Sequence, residues 1–99
     1  MPSQNDTPEI RLAACRERID ELDRRLVALL NERTAIVETI GQVKKDAQLP
    51  VYEPKRENAV YANITAVNGG PLPNDSVQRI FERIMDEMRK IQKEKMVEK

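Results

Sequence analysis

Arg33 is the first residue whose position suggests chemistry, because it interrupts a seam of apolar side chains. The seam residues recur at alternating steps of three and four, and they are Leu12, Cys15, Ile19, Leu22, Leu26, Leu29, Ile36, Ile40 and Val43. A charge on such a seam is expensive to bury unless it is paired or neutralised. Arg33 therefore belongs to a buried ion pair, sets the register of a coiled coil, or binds a small anion.

Lys44 favours the anion site. It follows Arg33 by eleven residues, which places the two cations on nearly the same helix face, about 16 Å apart along the axis. Two long cationic side chains that bend toward this gap could hold a small dianion. Taken alone, Lys44 also fits a solvated lysine that complements the helix dipole.

Further polar residues lie near predicted helix ends. Arg56 falls in the first turn of a second helix, where the dipole disfavours a cation that has no other role. Glu53 and Glu57 are one turn apart and could accept hydrogen bonds from a hydroxyl, although acids at a helix start usually act as caps. Gln92 borders the apolar face of a third helix, where a surface glutamine is the simpler interpretation.

The first helix must position most of these residues. Thr7 provides a hydroxyl cap and Pro8 the first helical residue, and no proline follows until Pro50, so the helix is predicted to run to about residue 46. Gly41 lies inside it at a cost of about 1 kcal/mol relative to alanine. Close approach of another backbone or of a ligand would explain this glycine, as would a tolerated surface position.

Two shorter helices are predicted to follow. Pro54 opens the second, and residues 68–71, Asn-Gly-Gly-Pro, end it with a left-handed glycine. Asp75 and Gln78 form a capping box for the third, whose charged tail after Gln92 is predicted to fray. The predicted buried faces are Val60, Ile64 and Val67 in the second helix and Val77, Ile80, Phe81, Ile84, Met88 and Ile91 in the third.

The length of the first helix predicts a dimer. Such a helix is about 58 Å long, whereas a compact chain of this size has a radius of gyration of about 13 Å. The rest of the chain cannot cover the seam, so a second copy is expected to do so. Arg16 lies about 25 Å from Arg33 along the helix, and only an antiparallel partner would bring it to that site. We expect one all-α domain over residues 1–99, with residues 1–7 and 94–99 flexible.

Composition narrows the function classes. Seventeen basic residues balance seventeen acidic ones, so the net charge indicates neither nucleic acid nor a membrane as partner. The absence of histidine excludes histidine-based triads and histidine metal sites. Cys15 is the only cysteine, which rules out an intrachain disulfide and favours the cytoplasm. Neither metal-ligand spacing nor a glycine-rich phosphate loop is present in the sequence.

The ordered set of motifs resembles the all-helical class of chorismate mutases. The resemblance covers about residues 9–92 and rests on Arg16-Glu-Arg-Ile-Asp-Glu-Leu-Asp, Leu29-Leu-Asn-Glu-Arg33, Ile40-Gly41-x-x-Lys44, Pro50-Val-Tyr-Glu-Pro-x-Arg56-Glu57 and Ile80-Phe81…Gln92. It implies an intertwined homodimer of three-helix chains with shared active sites. It also implies the rearrangement of chorismate to prephenate, which needs no nucleophile, metal or cofactor.

The resemblance implies a set of carboxylate ligands. Arg33 and the partner subunit's Arg16 would bind one carboxylate of chorismate, and Arg56 would bind the other. Met88 departs from the family, which often has a small hydroxyl residue at this position, four residues before Gln92. One carboxylate contact therefore differs here.

The resemblance also implies roles at the reacting centre. Lys44 and Gln92 would donate hydrogen bonds to the ether oxygen, which gains negative charge as the C–O bond breaks. Glu53 and Glu57 would hold the ring hydroxyl, and Glu53 stands where an aspartate is frequent. Conformer restriction and well-placed donors are sufficient for such a reaction.

The sequence is also compatible with two other functions. An isochorismate-pyruvate lyase shares the fold and has closely similar substrates, although residues 51–57 resemble the mutases more. A non-catalytic helical module for regulation or dimerisation would bind without turnover, but it leaves Arg33, Lys44 and Arg56 unexplained. Docking on another shikimate-pathway enzyme is compatible with either enzyme.

Overall fold

Three helices make up the part of the chain that the computed structural model describes, residues 7–97. They are α1 (Pro8–Ala47), α2 (Pro54–Val67) and α3 (Asn74–Val97), and no strand occurs in this range, so the predicted all-α class is confirmed. None of the described helices has the length and apolar character needed to cross a membrane. The chain divides into two compact units, residues 1–33 and 34–99, and the division falls inside α1.

The first unit begins as the sequence predicts. The Thr7 hydroxyl accepts a hydrogen bond from the backbone N–H of Ile10 at 3.2 Å, which caps the helix at Pro8. The seam residues of this unit are exposed in the single chain, and they include Leu12, Cys15, Ile19, Leu22, Leu26 and Leu29. The seam pattern predicts burial for these side chains, and this chain alone does not provide it.

The second unit contains the hydrophobic core. Its buried apolar side chains come from all three helices, and they are Val37, Val60, Met85 and Met88. Helices α2 and α3 pack against each other, and the C-terminal part of α1 contacts α3 through Thr34, whose hydroxyl lies 3.5 Å from the sulfur of Met88. Val37 and Met88 thus join α1 and α3 to one core.

The end of α2 differs from the prediction. The helix stops at Val67, which is 82% exposed rather than buried, and Asn68 caps it in an extended conformation. The left-handed glycine is Gly70, three residues further on. The Asn68 side chain explains the difference, because it donates to the carbonyl of Leu72 at 2.8 Å and to Asn74 at 2.7 Å and so shapes the loop itself.

Helix α3 also begins earlier than predicted. It starts at Asn74, so Asp75 lies in its first turn and the capping box with Gln78 is wrong. Ile80 is exposed, while Met85, outside the predicted face, is buried. The helix continues through the charged tail to Val97, where the sequence predicts fraying. Residues 1–6 and 98–99, predicted to be flexible, lie outside the described range.

Candidate active site

Lys44 is a buried cation at the C-terminal end of α1. Its side-chain nitrogen donates to the backbone carbonyl of Val51 at 2.8 Å and to Oε1 of Gln92 at 2.9 Å, and it lies 2.7 Å from Oε1 of Glu53. The residue is only 6% exposed. An ammonium group has three N–H donors, so each donor has an acceptor. This saturation explains how the charge is tolerated in the interior.

The local fold at the end of α1 brings one of these acceptors into place. The backbone N–H of Leu49 donates to the carbonyl of Lys44 at 2.8 Å, and that of Gln48 donates to Lys45 at 3.3 Å. This pair of bonds is a Schellman motif, in which Gln48 occupies the left-handed position with φ 56°. The chain therefore turns back sharply, and the carbonyl of Val51 comes within reach of Lys44.

Gln92 is the second buried polar side chain. It is 9% exposed, and within residues 7–97 only Gln92 and Lys44 are both polar and buried. A lysine can only donate, so the amide oxygen of Gln92 must face it. The amide NH₂ group is then left to donate to another acceptor. The sequence does not predict a bond between these two residues, which lie 48 positions apart, but the structure joins them directly.

Glu53 is the N-cap residue of α2, but its side chain makes no capping hydrogen bond. The carboxylate pairs with Lys44 instead, and the side chain is 50% exposed. The other two acceptors around Lys44 are the Val51 carbonyl and the buried Gln92 side chain. The Glu53 side chain is half exposed, so its carboxylate can turn into solvent and be hydrated there. It is therefore the acceptor that a bound molecule can most readily replace.

Glu57, one turn after Glu53, pairs with a different cation. Its Oε2 lies 3.4 Å from Nη1 of Arg89. The Arg89 guanidinium also bonds to Asp86, and its central carbon lies 5.7 Å from the centre of the Tyr52 ring. The hydrogen bond to Asp86 raises the pKa of Arg89 above its usual value. Burial of the guanidinium opposes this increase, and the negative charge of Glu57 adds to it. An open cleft of about 590 Å³ borders this cluster.

Arg89 could not be predicted from the sequence as a site residue. The only local signal is Asp86 three residues earlier, and such ion pairs are common on any charged helix. The contacts with Tyr52 and Glu57 come from another loop and another helix, so no spacing along the sequence reveals them.

The other predicted site residues lie outside these two clusters. Arg56 is exposed in the first turn of α2, and Met88 is buried in the core against Thr34. Arg16 is exposed and Arg33 half-buried, and both belong to the first unit. No group of histidine, cysteine, aspartate and glutamate side chains suited to a metal ion occurs in residues 7–97.

The Lys44–Gln92 pair can act as a donor site for oxygen. The exchangeable Glu53 carboxylate shows that an anionic oxygen fits next to Lys44, and the Gln92 amide supplies an uncharged donor beside it. Preorganised donors in a buried site stabilise negative charge that develops on an oxygen far better than water does. No described residue at the site is an obvious nucleophile.

Comparisons with known proteins agree with this chemistry. Residues 15–93 match the family model for chorismate mutase type II. The chain is 43% identical over 72 residues to the bifunctional chorismate mutase/prephenate dehydratase of Neisseria gonorrhoeae, an alignment that covers 73% of this chain and 19% of that protein. It thus spans about a fifth of the length of this relative.

Two solved structures share the fold. Chorismate mutase from Thermus thermophilus (form II) aligns with a TM-score of 0.82 and 34% identity, over 84% of this chain and 94% of that one. Chorismate mutase from Helicobacter pylori, solved in complex with prephenate, aligns with a TM-score of 0.82 and 27% identity, over 89% and 96%. The chain therefore belongs to the chorismate mutase type II family.

Proposed function

We propose that this protein is a chorismate mutase that converts chorismate to prephenate without a cofactor. The observation that carries the proposal is the buried Lys44–Gln92 pair, inside a domain of this family. In the rearrangement the ether C–O bond breaks as a new C–C bond forms, and negative charge grows on the ether oxygen. Lys44 and the NH₂ group of Gln92 donate to that oxygen and stabilise the charge.

Substrate binding requires an exchange at Lys44. Because Val51, Gln92 and Glu53 occupy its donors, one acceptor must leave before Lys44 can reach a substrate oxygen. Glu53 turns away, since it alone is half exposed. Its carboxylate then becomes available to the ring hydroxyl, together with the carboxylate of Glu57. The remaining two acceptors keep the Lys44 side chain in place.

Arginines provide the carboxylate contacts. By the family resemblance, Arg33 and the partner subunit's Arg16 bind one carboxylate and Arg56 binds the other, since a guanidinium matches a carboxylate with two parallel hydrogen bonds. Met88 makes no such contact, because its side chain is buried in the core. Fixing both carboxylates restricts chorismate to the compact conformer that reacts.

A second copy of the chain completes the site. The apolar seam of α1 supports this part of the proposal, because Leu22, Leu26 and Leu29 are all more than half exposed in the single chain. Contiguous apolar surface of this kind is rarely left open to water. Leu29→Glu is expected to give a monomer with little activity in analytical ultracentrifugation and turnover assays. Val67→Glu, at an exposed position off the seam, is the matched control.

The direct test is turnover by the isolated chain. Purified protein incubated with chorismate alone is expected to yield prephenate, measured by chromatography, without added metal or cofactor. A folded dimer that leaves chorismate unchanged would overturn the proposal. Parallel incubation with isochorismate tests the lyase alternative, which salicylate formation would support. The matched family and the solved relatives are mutases, so neither the lyase nor a non-catalytic module is favoured.

The bifunctional relatives suggest a class of partner. In the Neisseria gonorrhoeae protein the mutase shares a chain with a prephenate dehydratase. A separate enzyme that consumes prephenate, or another shikimate-pathway enzyme, is thus a reasonable docking partner for this protein.

A further inference from the structure

Gly41 lies where α1 and α3 approach each other closely. It is buried, and a Cβ atom built on it would lie 3.3 Å from the carbonyl oxygen and 3.4 Å from the Cα of Gln92. The same atom would lie 3.2 Å from the Cβ of Lys95. A bare glycine backbone therefore faces the backbone of the residue that pairs with Lys44. This confirms the sequence-based alternative that another backbone approaches Gly41 closely.

The register of the two helices places this contact beside the Lys44–Gln92 pair. Gly41 precedes Lys44 by three residues, so the two lie on one face of α1 a single turn apart. Gln92 contacts Gly41 with its backbone and Lys44 with its side-chain oxygen. The separation of the helices at Gly41 thus determines how far the Gln92 side chain must reach.

We propose that Gly41 is a positioning residue of the active site: its missing side chain sets the helix separation at which the amide of Gln92 meets the ammonium of Lys44. The inference rests on the proposed function and extends it to a residue that touches no substrate. Glycine is a poor helix former, and such a role would compensate for its cost inside a 40-residue helix.

A methyl group at this position would move Gln92 rather than be absorbed. Two of the three nearest atoms belong to the main chain of Gln92, and a main chain cannot rotate away as a flexible side chain can. The α3 backbone must retreat by a few tenths of an ångström. Misplacement of catalytic groups by about 1 Å can reduce the rate by about 100-fold, so a shift of this size is expected to reduce it by about 10-fold.

The first experiment needs no substrate. Gly41→Ala is compared with Gly69→Ala, because a Cβ atom added to Gly69 would meet no other atom within 4 Å and Gly69 is not in the left-handed region. The side-chain amide signals of Gln92, assigned by their loss in Gln92→Ala, are recorded by ¹⁵N NMR. They are expected to shift and exchange faster with water in Gly41→Ala and to stay unchanged in Gly69→Ala.

The same NMR spectra can overturn the inference. Unchanged Gln92 signals in a folded Gly41→Ala protein would show that the methyl group is accommodated without displacement. A Gly41→Ala chain that does not fold would also overturn it. The proposal requires only a local shift of α3, and alanine is a better helix former than glycine, so the protein is expected to fold. This measurement decides the role of Gly41 even if the protein does not rearrange chorismate.

Kinetics provide the second experiment. Gly41→Ala is expected to lower kcat by about 10-fold with little change in KM, because the carboxylate contacts lie elsewhere. In a double-mutant cycle, Gly41→Ala should add no further loss to Gln92→Ala, since the group that it displaces is already absent. Wild-type kcat in Gly41→Ala, or losses that multiply in the double variant, would contradict the proposed role.

Discussion

The second unit contains two cations paired with neighbouring carboxylates at the start of α2, and their surroundings differ. The Lys44 side chain is 7% exposed and has an acceptor for each donor, whereas that of Arg89 is 28% exposed and lies along an open cleft. Glu53 pairs with the first and Glu57 with the second. The burial of the cation rather than its pairing separates a group that can stabilise developing charge from one that fastens a loop, because solvent reaches and screens Arg89 more than Lys44.

Replacement of Lys44 should have the largest effect. Lys44→Ala removes a charged donor from a buried site and is expected to lower kcat/KM for chorismate by at least about 10²–10³-fold. It also leaves the Gln92 and Val51 oxygens without their donor, so the free energy of unfolding in urea should fall by about 1–3 kcal/mol.

Lys55→Ala is the control for Lys44→Ala, since Lys55 is an exposed lysine of the first turn of α2. It should leave both quantities near wild type. Equal activity of the two variants would remove Lys44 from the mechanism and abolish the contrast between the clusters.

Gln92→Ala should have the next largest effect. It removes an uncharged donor but leaves the ammonium of Lys44, so kcat is expected to fall by about 100-fold, with the dimer intact in ultracentrifugation. Gln78→Ala, at an exposed glutamine of α3, is the matched control. A Gln92→Ala enzyme as active as wild type would show that Lys44 acts alone.

Loss of Arg89 should be mild by comparison. Exposed ion pairs contribute about 0.2–1 kcal/mol, which corresponds to at most about 5-fold in binding or rate. Arg89→Leu is therefore expected to raise KM by no more than that. Arg79→Leu, at an exposed arginine of α3 that does not line this cleft, should change nothing measurable. A loss in Arg89→Leu as large as that in Lys44→Ala would mean that Arg89 itself acts at the reacting centre.

The smallest effect concerns Tyr61, which borders the cleft beside Arg89. Burial, followed by the charges of Glu82 and Glu57, raises the pKa of Tyr61 above 10.0. The native state thus holds this proton more tightly than the unfolded state, so the resulting stabilisation is complete below pH 10 and is lost as the pH rises through the raised pKa. Glu82→Gln should lower the midpoint of the Tyr61 phase in a spectrophotometric titration, and an unchanged midpoint would refute this cause.

The regular features of the fold could be predicted from the sequence. Thr7-Pro8 and Pro54 mark helix starts through local backbone chemistry, and both starts are confirmed. The errors at Val67 and Asp75 arise in the loop between α2 and α3. There the Asn68 side chain bonds to Leu72 and Asn74, and this three-dimensional arrangement overrides the local preference for a glycine cap.

The site could be predicted in part. Lys44 and Gln92 stand out because a cation and an amide bordering apolar faces are unusual, and the structure joins them. The pairing of Glu53 with Lys44 instead of the α2 backbone could not be predicted, since an acid at an N-cap position ordinarily caps. Arg89 was missed because its partners meet only in the folded chain. Roles for Arg16, Arg33 and Arg56 remain predictions.

The pH dependence of catalysis tests the central claim, an uncharged amide donor beside a buried ammonium, most directly. Wild-type kcat/KM is expected to be nearly flat between about pH 6 and 8, because Gln92 does not titrate in this range. In Gln92→Glu the carboxylate can donate only when protonated, so activity should be low at neutral pH and rise as the pH falls. Similar profiles for the two proteins, or a steep wild-type titration near about pH 5, would contradict the account.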